Sequence, residues 1–279
     1  MNILYCGDSN IQKGLLLSLL SIVNQVTEPL HIYVLTLSLQ TPRQNYAPVS
    51  DECISMAGQL LQRVHPESTV SKIDASQAFC DALPLANLDT RFTPCCMLRL
   101  YADEFEEIPD KILYLDNDVL CRMDFSDFYH QNVENCEFVG VLDHYGSWFF
   151  RRNIFKRDYV NSGVLLLNMK LIRTTRLFER CRQLCQEKKM FMPDQSALNK
   201  LSVSKRLAER RFNEQRRLQS NTVFQHFTTH FCFFPFFKAV TVKPWQFELV
   251  HQELKLHEYD ALFEEYAAFY SDDYYKRSV

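Results

Sequence analysis

The chain has 279 residues, of which 47% are hydrophobic and 23% are charged. These fractions are typical of a folded globular protein and exclude the disordered and collagen-like classes. The length is enough for one main domain with a substantial core and a small appendage. The formal net charge of -3 argues against a nucleic-acid-binding protein, because contacts to a phosphate backbone require an excess of lysine and arginine.

The N-terminus predicts a cytoplasmic protein, because it lacks the basic region and cleavage pattern of a secretion signal. The apolar run over residues 14–23 is about half the length of roughly 20 residues that a membrane span requires. We therefore expect the ten cysteines to be reduced and mostly buried. An aromatic cluster from Phe231 to Phe237 is expected to contact the core, a protein partner or, peripherally, the inner face of the membrane.

The first part of the chain alternates short apolar strands with helices. Residues 3–6 predict a buried strand, residues 14–26 a buried helix and residues 30–37 a second strand. Residues 41–76 predict mixed helix and strand, with a strand near residues 70–74. This β-α-β pattern indicates an α/β protein with a mostly parallel sheet covered by helices on both faces.

The middle of the chain continues the alternation. Residues 95–104 predict a helix, and residues 111–115 and 138–142 predict strands. A further strand is predicted at residues 164–167, after a turn at Asn161-Ser162-Gly163. Residues 170–188 then predict one helix.

Acidic residues follow several of these strands. Asp8, Asp116 and Asp143 each come directly after a predicted strand or within two residues of its end. Open α/β sheets bind ligands beyond the carboxyl ends of their strands. The sequence therefore predicts a functional site at that edge of the sheet.

The Asp116-Asn117-Asp118 triplet ends the apolar strand that contains Tyr114. Residues two apart in extended chain share a face, so both carboxylates can reach one centre. Mg²⁺ and Mn²⁺ prefer oxygen ligands, and two carboxylates leave positions for diphosphate oxygens and water. The alternatives are a turn with two solvated acids and a phosphoryl-transfer site. The second lacks its usual support, because this chain with six glycines has neither GxxxxGK nor GxGxxG.

Five segments occur in the order found in one known family of enzymes. They are ILYCGDSN at residues 3–10, MLRL at 97–100, DND at 116–118, YVNSGVLLLN at 159–168 and MPDQSALN at 192–199. Together they resemble glycosyltransferase family 8, which includes glycogenin and the bacterial lipooligosaccharide α-galactosyltransferases. The similarity runs from Ile3 to about Trp245. It implies a GT-A type nucleotide-sugar-binding fold with a mostly parallel central sheet.

The resemblance implies roles for residues near the uridine and the diphosphate. Asp8 would contact the uracil edge, Asn10 the ribose, and Arg99 the phosphate or sugar hydroxyls of the donor. Ile11 stands where the family commonly has an aromatic residue. Read without the family, Asp8 also suits a turn or a helix N-cap, and a lone arginine such as Arg99 is typical of a surface salt bridge.

The resemblance also implies roles near the transferred sugar. Asn161 would present its amide to the donor sugar or acceptor, and Gly163 would allow close backbone approach. Asp194 would bind sugar hydroxyls, and Gln195 would lie beneath the anomeric carbon. The local pattern alone explains Asp194 as a residue that caps a helix.

A histidine before the Lys243-Pro244-Trp245 triplet would be the third metal ligand. His226 is our prediction and His230 the alternative, because the family's spacing is stretched by inserted residues and its glycine is absent. Either imidazole suits manganese. Lys243 would hold the diphosphate as a point charge.

The sequence thus predicts a retaining α-glycosyltransferase that moves a hexose (glucose, galactose or N-acetylglucosamine) from a UDP-sugar to a hydroxyl of a glycan, glycoprotein or lipid-linked saccharide. The cofactor is Mn²⁺, with Mg²⁺ as the other candidate, on Asp116, Asp118 and His226. Gln195 is a poor nucleophile, which favours front-side attack by the acceptor. Asp143 and Asp194 are the carboxylates that could instead form a covalent intermediate.

Two alternatives remain open: a nucleotidyltransferase that makes sugar nucleotides, and a degenerate family member that acts as a scaffold. We expect residues 1–245 to form the catalytic domain and residues 246–279 a C-terminal helical tail, which could dock on a partner or membrane. The basic stretch over residues 200–217 predicts either a solvated helix face or an anion-binding surface.

Overall fold

The computed structural model describes residues 1–88, 90, 93–144, 158–232 and 238–277. The aromatic cluster from Phe231 to Phe237 therefore lies largely outside the described residues. Strands and helices occur throughout the described ranges. The strands, in chain order, are β1 (Asn2–Cys6), β2 (His31–Thr36), β3 (Leu39–Gln40), β4 (Asn45–Tyr46), β5 (Thr69–Asp74), β6 (Lys111–Leu115), β7 (Val119–Cys121), β8 (Phe138–Leu142), β9 (Val160–Asn168), β10 (Lys205–Leu207), β11 (Phe224–His226), β12 (His230–Cys232) and β13 (Lys238–Val240).

The helices cover both faces of the sheet. Short 3-10 helices occur at Ser9–Ile11, Leu85–Asn87 and Arg210–Phe212, and a longer one at Pro94–Glu104. The α-helices are α1 (Gln12–Val23), α2 (Asp51–Gln62), α3 (Ser76–Asp81), α4 (Ser126–His130), α5 (Met169–Thr175), α6 (Leu177–Glu187), α7 (Pro193–Leu201), α8 (Phe247–Leu249) and α9 (Asp260–Arg277).

The central sheet has the strand order β10-β8-β9-β6-β1-β2-β5 in the part of the chain that the structure describes. Every neighbouring pair is parallel except those of β9, which is antiparallel to β6 and β8. The prediction of a mostly parallel sheet is confirmed. Strands β7 and β11 form a separate antiparallel pair beside it.

Alternate residues of β1 show how the sheet separates two apolar layers. Ile3 and Tyr5 pack in a cluster with α1, α2 and α9, whereas Leu4 packs in a second cluster with the Pro94–Glu104 helix, α6 and α7. Successive strand side chains point to opposite faces, so one strand contributes to both layers. Both layers are extensive, and Ile3, Leu4 and Tyr5 are all fully buried.

Three local predictions are wrong. Asn161-Ser162-Gly163 lies inside β9 and not in a turn, because this segment continues the pairing with β6 up to Asp116, whose N–H donates to the Gly163 carbonyl at 2.8 Å. The helix predicted over residues 170–188 is divided into α5 and α6 at Arg176, which has a left-handed φ of 54°. Of the two interpretations of the basic stretch, the helix face is wrong, since the stretch contains β10 and the 3-10 helix Arg210–Phe212.

The 3-10 helix at Pro94–Glu104 carries Arg99 to the sheet edge. A run of this length is uncommon for 3-10 geometry. Arg182 of α6 stabilises it, because its buried guanidinium binds the Leu100 carbonyl, Asp103 and Glu104. The predicted helix is confirmed in position, with tighter 3-10 winding.

The C-terminal helix α9 packs against the main body. Tyr266 donates its hydroxyl hydrogen to the Lys13 carbonyl of α1 at 3.1 Å, and Tyr259 donates to Gln225 Oε1 of β11 at 2.5 Å. His251 and His257 stack at 4.7 Å and both contact Asp260, the first residue of α9. Among the residues described, none of the helices has the length and apolar character needed to cross a membrane.

Candidate active site

Asp116 and Asp118 occupy a tight turn between β6 and β7. The N–H of Asp116 donates to the Gly163 carbonyl at 2.8 Å, and the N–H of Val119 donates to the Asp116 carbonyl at 3.1 Å. The first bond fixes the end of β6 against β9, and the second closes the turn. Both carboxylates therefore lie at the carboxyl edge of the sheet, as the sequence predicts.

His226 reaches this turn through the β7–β11 pair. His226 is opposite Val119 in the antiparallel register, and the next N–H, that of Phe227, donates to the Asp118 carbonyl at 3.0 Å. Nε2 of His226 consequently lies 3.2 Å from Asp118 Oδ1 and 3.6 Å from Asp116 Oδ2. The position of the His230 side chain lies outside the described part of the chain.

The three side chains form a candidate divalent-cation site. Their ligand atoms all lie within 4.8 Å of one another, which is close enough for one ion to contact all three at the roughly 2 Å ligand distances of Mg²⁺ and transition metals. Two carboxylate oxygens and one imidazole nitrogen suit Mn²⁺. The residues present therefore fit the cofactor that the sequence predicts.

Asp118 is buried and held between two basic side chains. Its Oδ2 accepts a hydrogen bond from the Lys243 ammonium, and His226 approaches Oδ1. Burial opposes ionisation of this carboxyl, but Lys243 and His226 overcome that effect and lower its pKa below the ordinary value. The pKa of Lys243 is raised, because the charge of Asp118 outweighs the effect of burial. Asp118 is therefore ionised, as a metal ligand must be.

Arg99 is a buried link between the two acids that flank β9. Its Nη2 donates to Asp116 Oδ1 at 2.9 Å, its Nη1 donates to the Ser162 carbonyl at 2.5 Å, and its Nε lies 3.3 Å from Asp194 Oδ2. The guanidinium also lies 4.0 Å from the centre of the Tyr114 ring. Arg99 thus fixes the orientation of Asp116, in addition to the donor contact that the sequence predicts for it.

Asp194 and Gln195 lie in the first turn of α7 and face β9. Ser162 donates its hydroxyl hydrogen to Asp194 Oδ2 at 3.2 Å, and its N–H donates to Gln195 Oε1 at 3.0 Å. Burial raises the pKa of Asp194, although Arg99 opposes the shift. Asp194 lies within the first turn of α7, whose N-cap is Met192. The alternative interpretation of Asp194 as the capping residue is therefore wrong.

Asp143 connects Gln195 to Asn161. Its Oδ2 accepts hydrogen bonds from Asn161 Nδ2 at 2.9 Å and from Gln195 Nε2 at 3.1 Å. Asn161 Oδ1 in turn accepts from Asn213 Nδ2 at 2.9 Å, and Asn213 contacts His226. The predicted residues from Arg99, Asp116 and Asp118 to Asn161, Asp194 and Gln195 are therefore joined in one continuous polar network around β9.

Two glycines let these elements approach closely. A Cβ on Gly163 would lie 2.2 Å from His226 Cε1 and 2.9 Å from Asp116 Oδ2. A Cβ on Gly14 of α1 would lie 2.4 Å from the Asn117 carbonyl oxygen and 2.5 Å from the Trp245 ring. Asn117, which stands between the two acids in the sequence, therefore packs against α1. Trp245 packs against the same helix.

Asp8 and Asn10 follow β1, which is the parallel neighbour of β6. Asp8 is buried, and Asn10 Nδ2 donates to its Oδ2 at 2.7 Å. The Asp8 side chain makes no capping hydrogen bond to the following helix. The structure thus places Asp8 at the same sheet edge as Asp116, at the N-cap position of the Ser9–Ile11 helix but with its side chain free of a capping role.

Sequence reasoning missed Asn213. This residue is fully buried beside His226. The Arg210–Phe212 turn places it there, because Phe212 stacks on Phe128 at 4.6 Å and the N–H of Glu214 donates to the Phe224 carbonyl. No local pattern in the basic stretch distinguishes this asparagine, since its partner His226 is 13 residues away.

The fold is of the GT-A type, with two carboxylates and a histidine grouped at the carboxyl edge of its sheet. Residues 2–248 match the family description Glycosyl transferase family 8. The chain therefore belongs to glycosyltransferase family 8, and the resemblance seen in the sequence is confirmed.

Individual relatives agree with this assignment. A probable glycosyl transferase Gly of Streptococcus gordonii is 29% identical over 140 residues, which are 49% of this chain and 20% of that protein. A lipopolysaccharide 1,3-galactosyltransferase of Salmonella typhimurium is 24% identical over 128 residues, 42% of this chain and 38% of that protein. The matches thus span less than half of these relatives.

A solved structure shares the fold over nearly the whole length. The galactosyltransferase LgtC, crystallised with donor and acceptor sugar analogues, superposes with a TM-score of 0.66 at 19% identity, covering 96% of each chain. At this identity the likeness establishes the GT-A type fold. It leaves the substrates of the present chain to be inferred from its own site.

Proposed function

We propose that the chain is a retaining α-hexosyltransferase that uses a UDP-sugar and a divalent cation held by Asp116, Asp118 and His226. The observation that carries this proposal is the convergence of these three side chains at the carboxyl edge of the sheet. Oxygen and nitrogen ligands on one side of an ion leave its other positions for diphosphate oxygens.

The cation, Mn²⁺ with Mg²⁺ as the second candidate, would neutralise charge on the departing UDP. Lys243 is the protein group best placed to assist, because its ammonium already lies against Asp118 and its side chain is 35% exposed. Asp8, Asn10 and Asn117 would bind the uridine side of the donor. Their common position at the ends of β1 and β6 supports this assignment.

Asn161, Asp194 and Gln195 would bind and orient the transferred sugar. All three are buried. Asp143 accepts a hydrogen bond from Asn161, and Ser162 donates to Asp194 and Gln195, so the polar atoms of the three side chains are preorganised. Arg99 would hold Asp116 and Asp194 in position and would contact the donor phosphate or sugar hydroxyls.

We favour front-side attack of the acceptor hydroxyl on the anomeric carbon, with the leaving phosphate accepting its proton. Gln195 has no carboxylate, and the carboxylate of Asp194 is paired with Arg99, which weakens it as a nucleophile. Asp143 is likewise occupied by two side-chain amides. Incubation with a slow-reacting donor followed by mass spectrometry tests this step, and a glycosylated Asp194 or Asp143 would contradict it.

The relatives give starting points for a screen of donor sugars and acceptors. Two of them are named galactosyltransferases, one acting on lipopolysaccharide, so UDP-galactose and a glycan or lipid-linked acceptor come first in a screen. UDP-glucose and UDP-N-acetylglucosamine follow, since sugars that differ in one hydroxyl are separated by few contacts. We place the reaction in the cytoplasm, at or near the inner face of the membrane.

Two measurements test the proposal against its alternatives: calorimetric titration with UDP, with and without Mn²⁺, and an assay of pyrophosphate release. We expect UDP binding that strengthens with Mn²⁺ and no release of pyrophosphate from nucleoside triphosphates and sugar phosphates. Absence of Mn²⁺-dependent UDP binding would favour a scaffold, and pyrophosphate release would favour a nucleotidyltransferase. The scaffold alternative arose from the stretched spacing before Lys243, and His226 nevertheless lies beside both acids.

A further inference from the structure

Asn213 lies behind the imidazole of His226, on the side away from the two acids. Its side chain is fully buried. Oδ1 of Asn213 lies 3.2 Å from Nδ1 of His226, and Nδ2 of Asn213 donates to Asn161 Oδ1 at 2.9 Å. The amide therefore bridges His226 and Asn161, and its orientation decides which atom faces the ring.

A backbone group determines that orientation. The N–H of Gly163 donates to Asn161 Oδ1 at 3.0 Å, and a backbone N–H cannot act as an acceptor. The oxygen of Asn161 must therefore face Gly163, while its Nδ2 donates to the Asp143 carboxylate at 2.9 Å. Because this same oxygen also faces Asn213, Asn213 must present its NH₂ group to Asn161 and its own oxygen to His226.

The oxygen of Asn213 can only accept a hydrogen bond from the ring. A neutral imidazole has one nitrogen that donates and one that accepts. Nδ1 of His226 therefore carries a hydrogen, and when the ring is neutral the lone pair lies on Nε2, the atom 3.2 Å from Asp118 and 3.6 Å from Asp116. This is the form of the ring in which Nε2 can bind a cation.

We propose that Asn213 is a positioning residue that selects the Nδ1–H tautomer of His226 and thereby prepares Nε2 for the metal. The N–H of Gly163 fixes the orientation of the Asn161 amide, and Asn161 in turn fixes the orientation of the Asn213 amide. Partners of this kind behind a ligating histidine typically change metal affinity by about 10-fold to 100-fold. The inference deepens the proposed function, because it rests on His226 being a ligand of the cation.

The first test needs no variant and no metal. Long-range ¹H–¹⁵N correlation spectra of histidine-labelled, metal-free protein, recorded above the pH range in which imidazoles protonate, report which ring nitrogen carries hydrogen. His226→Gln identifies the resonance by its loss. We expect hydrogen on Nδ1 of His226, and a spectrum with hydrogen on Nε2 alone would overturn the proposal.

The second test measures the affinity for Mn²⁺ by the EPR signal of the free ion, with and without UDP. Asn213→Ala should weaken Mn²⁺ binding about 10-fold to 100-fold and shift hydrogen toward Nε2 in the spectra. Asn87→Ala is the matched control, because Asn87 is an equally buried asparagine bonded to the Cys185 and Lys188 carbonyls, away from the metal ligands. It should leave both readouts unchanged.

Equal loss of Mn²⁺ affinity in Asn87→Ala and Asn213→Ala would mean a general effect of destabilisation and would contradict the positioning role. Unchanged affinity in folded Asn213→Ala would contradict it as well. If the unaltered protein binds no Mn²⁺, the proposed function fails, whereas the tautomer in the metal-free spectra still decides the role of Asn213. The two failures are therefore distinguishable.

Discussion

Gly163 shows why the site requires a glycine at one position of β9. None of the glycines in the described residues has a positive φ, so backbone strain does not explain it. The reason is space, because a Cβ at this position would lie 2.2 Å from His226 Cε1 and 2.6 Å from its Nδ1. Gly163 therefore permits the histidine and Asp116 to meet across the strand.

Gly163→Ala should separate the metal ligands. We predict a loss of Mn²⁺ affinity of at least about 10-fold and a decrease in the free energy of unfolding of about 1–3 kcal/mol from overpacking. Titration calorimetry and chemical denaturation measure the two effects. Gly58→Ala in α2 is the control, because its Cβ would meet only Val70 Cγ1 at an ordinary 3.6 Å. It should keep Mn²⁺ affinity and stabilise the helix by about 0.5–1 kcal/mol, and an equal loss of affinity in both variants would refute the steric account.

Asp118 should give the metal-free protein a recognisable dependence of stability on pH. Its pKa in the folded protein lies below the ordinary value of about 3.9, so the folded state binds fewer protons than the unfolded chain near pH 4. The contribution of Asp118 is complete above that range and is lost as pH falls toward the folded pKa. The free energy of unfolding should therefore fall more steeply between about pH 5 and pH 3 for the unaltered protein than for Asp118→Asn. Identical slopes in urea denaturation would contradict this prediction.

At the scale of the secondary-structure elements, the short strands were the ones that the sequence did not predict. Except for β10, the strands of the central sheet carry strong local patterns, as does helix α1, and they lie close to their predicted positions. Strands β7 and β11 have three residues each, which is too short for a periodic signal. Their pairing places His226 beside Asp118 across more than 100 intervening residues, a contact that depends on tertiary structure.

The segment around Asn161 illustrates a second limit. Asn and Ser are frequent in turns because their side chains form hydrogen bonds with the nearby backbone, and Gly because it lacks a side chain and adopts more backbone conformations. Here β9 pairs with a neighbour on each side, β6 and β8. The paired residues on both sides of this segment and the bond from the Asp116 N–H to the Gly163 carbonyl keep it extended, although the β8–β9 register is irregular there. The functional residues therefore project from a strand and not from a loop.

Lys255 offers a test of backbone strain at the end of the π-helical turn Val250–Leu254. Its φ is 57°, a left-handed conformation that disfavours residues with a Cβ. Lys255→Gly should raise the free energy of unfolding by about 1 kcal/mol, as measured by thermal and chemical denaturation. Lys255→Ala removes the same long side chain but keeps the Cβ, so it should give no such gain. A similar gain in both variants would show that the side chain, and not φ, is responsible.

At the scale of the whole molecule, the sheet collects residues that are distant in sequence into one polar network. The family pattern identified most members individually, from Arg99 to Lys243. It did not reveal their connectivity, in which Arg99 joins Asp116 to Asp194 and Asn213 joins His226 to Asn161. Connectivity could not be predicted from the sequence because each link joins different elements of the fold.

The C-terminal helix also belongs to this larger arrangement. Tyr259, the residue before α9, and Tyr266 of α9 connect this helix to β11 and α1. Strand β11 carries His226, and α1 packs against Asn117. The tail thus shares the core on one face of the sheet. The division into a catalytic domain at residues 1–245 and a tail at residues 246–279 stays a prediction.

The central claim is that Asp116, Asp118 and His226 support cation-dependent turnover of a UDP-sugar. The most direct measurement is release of UDP from UDP-galactose, UDP-glucose and UDP-N-acetylglucosamine, with Mn²⁺ or with a chelator, by the unaltered protein and by Asp116→Ala and Asp118→Ala. We predict slow UDP release from at least one donor that requires Mn²⁺ and is abolished in both variants while their folding, checked by circular dichroism, is retained. UDP release that persists with the chelator or in the folded variants, or no release from any of the three donors, would contradict the account.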